Sequence, residues 1–338
     1  MKIDAGLLAA DIDQIVQKSR ELEEAGFDGC FTFEGPHEPF LSLVLAAEHT
    51  NLEIGTGVAV AFARTPMTVA NTGHDLQQLS KGRFWLGLGS QIKPHIESRY
   101  SMSWGKPVTR MKEFVRALRA IWAAWHHGEK LDFRGEYYKH TLMPPIFNPG
   151  PAPGGPPPIY LGGVGPKMTE AAGEVADGML LHPFHTAKSL AAVTIPAIQR
   201  GLDASDRTLD DFSLSAQVII ATGRNDAEHE SARAMARNQV AFYASTPAYR
   251  SVLESEGQGE LQPELRELTK QGRWADMAAK IDDELLESIA IVGTPKQVAH
   301  TLRERYGTLA SRIAFASPFP IAPECCAEII AAFRAPDS

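Results

Sequence analysis

Short apolar runs alternate with amphipathic stretches along almost the whole chain. Lys2–Leu8, Gly29–Phe33, Ile54–Val60 and Phe84–Leu88 read as four strands. Pro158–Leu161, Gly178–Leu181, Phe212–Ala221 and Arg312–Ala316 read as four more. These runs are too apolar to face water on one side, which is the pattern of parallel strands covered on both faces. Between them, Asp11–Ala25 places Ile12, Ile15, Val16, Ser19 and Leu22 on one helical face and stops at Gly26. Val108–His126 predicts a long helix and Lys167–Val175 a short one. Eight strand-then-helix units predict an α/β fold, a (β/α)8 TIM barrel formed by one domain over residues 1–338. A doubly wound open sheet has the same periodicity and stays open as the structural alternative.

Two segments exceed a minimal barrel. Residues 128–158 contain FRGEYYKH, which predicts a β-hairpin, and then MPPIFNPGPAPGGPPP, whose prolines forbid regular helix or sheet. Residues 241–286 are polar and helical in pattern, with Tyr243, Tyr249 and Trp274. Both are expected as insertions at the C-terminal face of the barrel, where barrel active sites are built. The second is expected to cover the substrate.

Composition narrows the class. The 338 residues carry a formal net charge of −8, so a broad nucleic-acid footprint is not expected. No run approaches the ~18 apolar residues of a membrane helix, and the N-terminus has no signal-peptide pattern. Cys30, Cys325 and Cys326 form neither a disulfide framework nor a spaced metal motif. A cytoplasmic protein acting on a small molecule, with no metal, is expected.

Four stretches carry candidate chemistry. Gly55-Thr56-Gly57-Val58 interrupts the third strand with two glycines. Read alone, it says only that something packs closely there. Gly162-Gly163-Val164-Gly165 follows the fifth strand and opens a helix, so its backbone N–H groups can cradle a phosphate. Gly89-Ser90 and, further on, His95 end the fourth strand. Glu34 and His37 end the second, where a histidine can move a proton and a carboxylate can hold an N–H. The bland readings are a surface histidine at 95 and helix-capping loop residues at 34–38. Arg64, in R-x-P, is expected to tie down its loop; His182 and His185 follow the sixth strand and can line a pocket.

The pairing of IGTGV…R-x-P with LSKGRFWLGLG resembles the luciferase-like monooxygenase superfamily, in its coenzyme F420-dependent oxidoreductase branch. GKPVTRMKEFVRALRAIW, DFRGEYY and Gly293-Thr-Pro-Lys-Gln-Val298 extend the resemblance over most of the chain. It implies a barrel that binds a deazaflavin at its C-terminal mouth and transfers a hydride to or from an organic substrate. It implies a non-prolyl cis peptide at Gly57–Val58 beneath the ring. Gly89, Ser90 and His182 would lie against the coenzyme, with its phosphate on Gly162, Gly163, Val164 and Gly165. Glu34, His37 and His95 are the implied catalytic candidates, and Lys93, Arg99 and Lys167 candidate cations for the coenzyme's acidic tail. Ile92 stands where the related sugar-phosphate dehydrogenase keeps a glutamate, which argues against that reaction. A homodimer is implied as well. FMN is the alternative cofactor, in a luciferase-like monooxygenase. A non-catalytic flavin-binding protein and, more remotely, a metal-dependent barrel hydrolase complete the alternatives. The hydrolase would want His-x-His where this chain has Asp4-Ala-Gly6.

Overall fold

The structure is a computed structural model and describes residues 1–7, 11–317 and 319–335. Eight parallel strands close into a barrel: β1 (Lys2–Gly6), β2 (Gly29–Thr32), β3 (Glu53–Thr56), β4 (Phe84–Gly89), β5 (Ile159–Gly162), β6 (Gly178–Leu181), β7 (Ser213–Val218) and β8 (Arg312–Phe315). The β3–β4 pairing (Ile54 opposite Phe84) and the β8–β1 pairing (Lys2 opposite Arg312) complete the ring. The outer helices are α1 (Ile15–Glu24), α2 (Leu41–His49), α3 (Pro66–Leu79), α4 (Pro107–His127), α5 (Pro166–Val175), α6 (Ile195–Asp203), α7 (Asp226–Ala244), α8 (Pro295–Tyr306) and α9 (Pro323–Arg334). No helix among the described residues is long and apolar enough to cross a membrane.

The strand runs match the expected ones, with instructive differences. The third run breaks after Thr56 and resumes as Ala59–Val60, beside Leu88 and Gly89. The seventh breaks at Ile219, and its continuation Ile220–Ala221 pairs outside the barrel with Ile291–Val292. The first helix begins as a 3₁₀ turn, so Ile12 lies 54% exposed and leaves the buried face assigned to it. Leu8, at the end of the first expected strand, and Pro318 lie outside the described residues.

Inside the barrel the side chains stack in layers. At the N-terminal end Arg312 donates from Nε and Nη2 to both oxygens of Asp4 (2.7 and 2.6 Å) and from Nη1 to Glu53 (2.6 Å). A Cβ at Gly29 would lie 2.6 Å from the Asp4 carboxylate, so the charge cluster fits only because residue 29 is glycine. Above it come Phe31, Trp85, Tyr160, Leu180 and Ala314, with Val58 packed on them.

The two long segments behave differently. Phe133–Arg134 and Lys139–His140 form the expected hairpin, which sits on the first turns of α4. Glu113 accepts the backbone N–H groups of Glu136, Tyr137 and Tyr138. The proline-rich run then returns beside α4, where Asn148 donates to the Ala124 carbonyl, to reach Gln77 and Gly82. The second segment begins inside α7 and continues as Arg250–Ser255, Leu261–Lys270, Trp274–Ala279 and Asp283–Ile289. It builds a second apolar cluster with Phe184 from the end of β6.

Candidate active site at the barrel mouth

The break in β3 shapes the mouth. Thr56 Oγ1 donates to the Gly87 carbonyl (2.7 Å) and accepts the Gly87 N–H (3.0 Å), so one hydroxyl replaces a rung of the ladder. A Cβ on Gly87 would fall 1.8 Å from the Thr56 carbonyl oxygen, so only glycine allows that approach. The Gly57–Val58 peptide bond is cis. Gly57 donates to the Thr32 carbonyl (2.6 Å), and the Val58 carbonyl accepts from Glu34 N (3.1 Å). The Val58 methyls fill the space that Cβ atoms at Gly89 (2.6 Å) and Gly162 (2.8 Å) would need. Residues 58, 89 and 162, singled out separately in sequence, thus meet at one place, with Gly57 joined to Val58 by the cis bond.

Glu34 braces three loops. Its Oε2 accepts the Val60 N–H (2.7 Å) and Arg64 Nη1 (2.5 Å), and its Oε1 accepts the Tyr100 hydroxyl (2.7 Å). The carboxylate is 7% exposed. Arg64 also reaches Glu38 (3.0 Å) and the Val60 carbonyl, as expected of a residue that ties down its loop. Arg99 donates to the Gly35 carbonyl (2.7 Å). The loops after β2, β3 and β4 are therefore bound together. His37 and His95 are exposed on two of them, with Phe33 and Ile92 exposed nearby in sequence. Tyr100 was missed in sequence because its partner lies 66 positions away and no local pattern marks such a pairing.

The second half of the site lies at the end of β6. Gly163, Val164, Gly165, Thr169, His182, His185, Ser189, Thr194, Tyr249 and Ser251 line one pocket with apolar neighbours. Gly165 has φ +91°, and a Cβ there would meet nothing within 4 Å, so open space lies before the first turn of α5. No side chain caps that turn, which leaves its N–H groups for a ligand.

The His182 ring stacks on Tyr249 (4.5 Å, 24°) and meets Tyr243 edge-on. Its Nδ1 accepts the Phe184 N–H (3.1 Å). Burial pushes the ring down to about 4. The ring is neutral at ordinary pH with its proton on Nε2. His185 is also pushed down to about 4 by burial. Its Nδ1 faces the His182 carbonyl (2.7 Å), so the proton sits there, and Nε2 accepts from Tyr306 (2.9 Å).

His126 is half-buried, its Nε2 without a partner among the described residues, against the wholly buried His74 (ring centroids 5.9 Å). Neither ring nitrogen of His74 has a partner among the described residues. No group of three metal-ligating side chains occurs among those residues.

The family model of luciferase-like monooxygenases matches residues 2–312. This chain belongs to that family. It is 51% identical to an uncharacterized protein of Mycobacterium tuberculosis over 314 residues, 93% of this chain and 92% of the relative. It is 28% identical over 305 residues to the 5,10-methylenetetrahydromethanopterin reductase of Archaeoglobus fulgidus, 88% of this chain and 87% of that enzyme. The fold superposes on the coenzyme F420 dependent tetrahydromethanopterin reductase of Methanopyrus kandleri with TM-score 0.78 at 21% identity, covering 98% and 99% of the two chains. It also superposes on an EDTA monooxygenase from Chelativorans with TM-score 0.70 at 14% identity, covering 98% and 92%. This luciferase-like protein is therefore an enzyme on a shared (β/α)8 scaffold, and the fold alone does not separate reductase from monooxygenase.

Proposed function

We propose that this luciferase-like protein is a coenzyme F420-dependent oxidoreductase that transfers a hydride between the deazaflavin and a small organic substrate. The observation that carries the reading is the single contact of Val58 with Gly89 and Gly162, which joins the broken third strand to the glycine loop opening α5. The residues present fit the coenzyme. Val58 offers an apolar shelf at the mouth, and Gly165 leaves open space before the uncapped first turn of α5. When bound, the deazaflavin supplies the hydride chemistry; the protein supplies position and a dry site.

In this reading Gly57, Val58, Gly89 and Ser90 support the ring. Gly162, Gly163, Val164 and Gly165 hold the phosphate through backbone N–H groups. His182 presents its neutral Nε2–H to the pocket. The 241–286 segment covers the pocket from outside. Glu34, with both oxygens engaged, acts as a positioning residue that fixes the loops carrying His37 and His95. One of these two exposed histidines moves the proton that accompanies the hydride. FMN, in a monooxygenase, would use the same shelf and loop, so the cofactor must be decided by binding. A homodimer belongs to the reading; light scattering giving only the chain's 36.8 kDa would remove it.

The test is turnover. Reduced deazaflavin is mixed with the protein and a panel of ketones, enones and imines, and return of the oxidised coenzyme's absorbance is followed. His37→Ala and His95→Ala should each keep coenzyme affinity, and one of them should lose turnover. Full activity in both would place the proton donor elsewhere, and absence of turnover on every acceptor would count against the deazaflavin reading and favour the FMN-dependent alternative.

A further inference from the structure

The pocket before α5 has an unusual electrical character for a phosphate site. Among the described residues no lysine or arginine lines it. Its polar side chains are the hydroxyls of Thr169, Ser189, Thr194, Ser251 and Tyr249 and the rings of His182 and His185. Both rings stay neutral above about pH 5, since burial holds them near 4. The tyrosines packed against them are also neutral. Burial raises the hydroxyl of Tyr243, and pushes those of Tyr249 and Tyr306 up to about 12.

Lys188, Arg250 and Arg305 lie outside this lining and are engaged elsewhere. Lys188 pairs with Glu256 (2.8 Å). Arg250 pairs with Glu254 (2.9 Å) and Glu260 (2.8 Å). Arg305 donates to the Ser288 carbonyl (3.3 Å) and to that of Glu287. Lys167, on the first turn of α5, points from an exposed position and does not line the pocket.

The groups that line such a pocket answer an anion with dipoles; the one cation among the described residues that acts on a lining ring, Arg305 on His185, does so from behind Tyr306 and outside the lining. The N-terminus of a helix offers roughly half a positive charge. Neutral hydroxyls and N–H groups can pair one negative charge, but a second would be desolvated without a counter-charge, which is costly. We infer that this pocket selects a singly charged phosphodiester over a doubly charged phosphomonoester. This rests on the deazaflavin reading and deepens it. The deazaflavin coenzyme carries its phosphate as a diester that leads on to the acidic tail, whereas FMN ends in a monoester. Discrimination between the two cofactors then resides in the phosphate pocket rather than at the ring, and a monoester enters only as its monoanion.

The test uses the wild-type protein and four ligands: coenzyme F420, its phosphate-free deazaflavin core, FMN and riboflavin. Each is titrated by fluorescence at pH 8 and pH 5.5; the FMN/riboflavin affinity ratio is the contribution of the monoester, and the F420/core ratio that of the diester together with the acidic tail it carries. The ratio cancels titration of the rings and of groups elsewhere on the protein. A monoester loses its second charge near pH ~6. The FMN/riboflavin ratio should therefore rise by more than about tenfold between pH 8 and pH 5.5, and the F420/core ratio should move less than twofold. A flat FMN ratio, or one that falls as pH falls, overturns the inference.

A second arm places a cation at the exposed rim of the pocket. Ser251→Lys should raise the FMN/riboflavin ratio at pH 8 well above that of the wild type and remove its pH dependence; an unchanged ratio at both pH values counts against the inference. Failure of all four ligands to bind would overturn the deazaflavin reading and this inference with it. Binding with the wrong pH response overturns this inference alone.

Discussion

Tyr100 donates its hydroxyl to Glu34 at 2.7 Å and so joins the loop after β4 to the loop after β2. The same carboxylate holds Arg64 and the Val60 N–H, so its oxygens serve the architecture. Glu34→Ala leaves the Val60 N–H and the Tyr100 hydroxyl without their acceptor, and leaves Arg64 with only Glu38 and the Val60 carbonyl; it should cost about 1–3 kcal/mol of stability, and Tyr100→Phe about 1 kcal/mol. Urea unfolding measures both. Wild-type stability in Glu34→Ala with turnover abolished would show an acid rather than a brace.

Gly57 faces the Phe31 ring, with only 2.7 Å to where a Cβ would stand. Gly57→Val would drive that ring out of the layer formed with Trp85 and Tyr160 and disturb the Val58 shelf. We expect deazaflavin affinity to be lost while far-ultraviolet circular dichroism still reports a barrel. Unchanged affinity would remove this turn from the binding site.

The N-terminal end of the barrel supports stability alone. Asp4 is 1% exposed and receives two bonds from Arg312. Arg312→Met strands that carboxylate, while Glu53 keeps its ion pair with Lys2, and should cost about 3–5 kcal/mol. The urea midpoint should fall while deazaflavin affinity, measured well below that midpoint, stays at the wild-type value. A midpoint within experimental error of wild type would contradict the structural role of the cluster.

Buried histidines set the acid limit. Burial lowers His182 and His185 to about 4 and also lowers His74, His126 and His140. In the unfolded chain a histidine takes up a proton near pH ~6.5. The stability of these neutral rings is therefore complete above about 6.5 and is lost progressively as pH falls from there toward 4. Urea midpoints at pH 8, 6.5 and 5 should decline in that order. His74→Leu removes an imidazole without partners from between Trp125 and His126. It should raise stability by about 1 kcal/mol and flatten the acid limb. A large loss would show that the ring nitrogens have partners after all.

Much of the frame was legible in sequence because a buried parallel strand followed by a helix leaves a local signature. The glycines of residues 55–57 and 162–165 were legible for the same reason: close backbone approach permits few other residues. What escaped was pairing at long range. Tyr100 with Glu34, Arg312 with Asp4 and His74 with His126 involve residues 66, 308 and 52 positions apart. Each looks ordinary where it stands, and only the packing of neighbouring loops and helices and, for Arg312 with Asp4, closure of the barrel bring the partners together. The break at Ile219 also escaped, because an unbroken apolar run hides a change of partner strand.

The identity of the coenzyme decides which chemistry the barrel mouth performs. The most direct test is a fluorescence titration of the purified protein with coenzyme F420 and, in parallel, with FMN at pH 8. Micromolar or tighter binding of F420, with FMN much weaker, is the predicted result. Tighter binding of FMN would move the protein to oxygen-dependent chemistry and contradict the account.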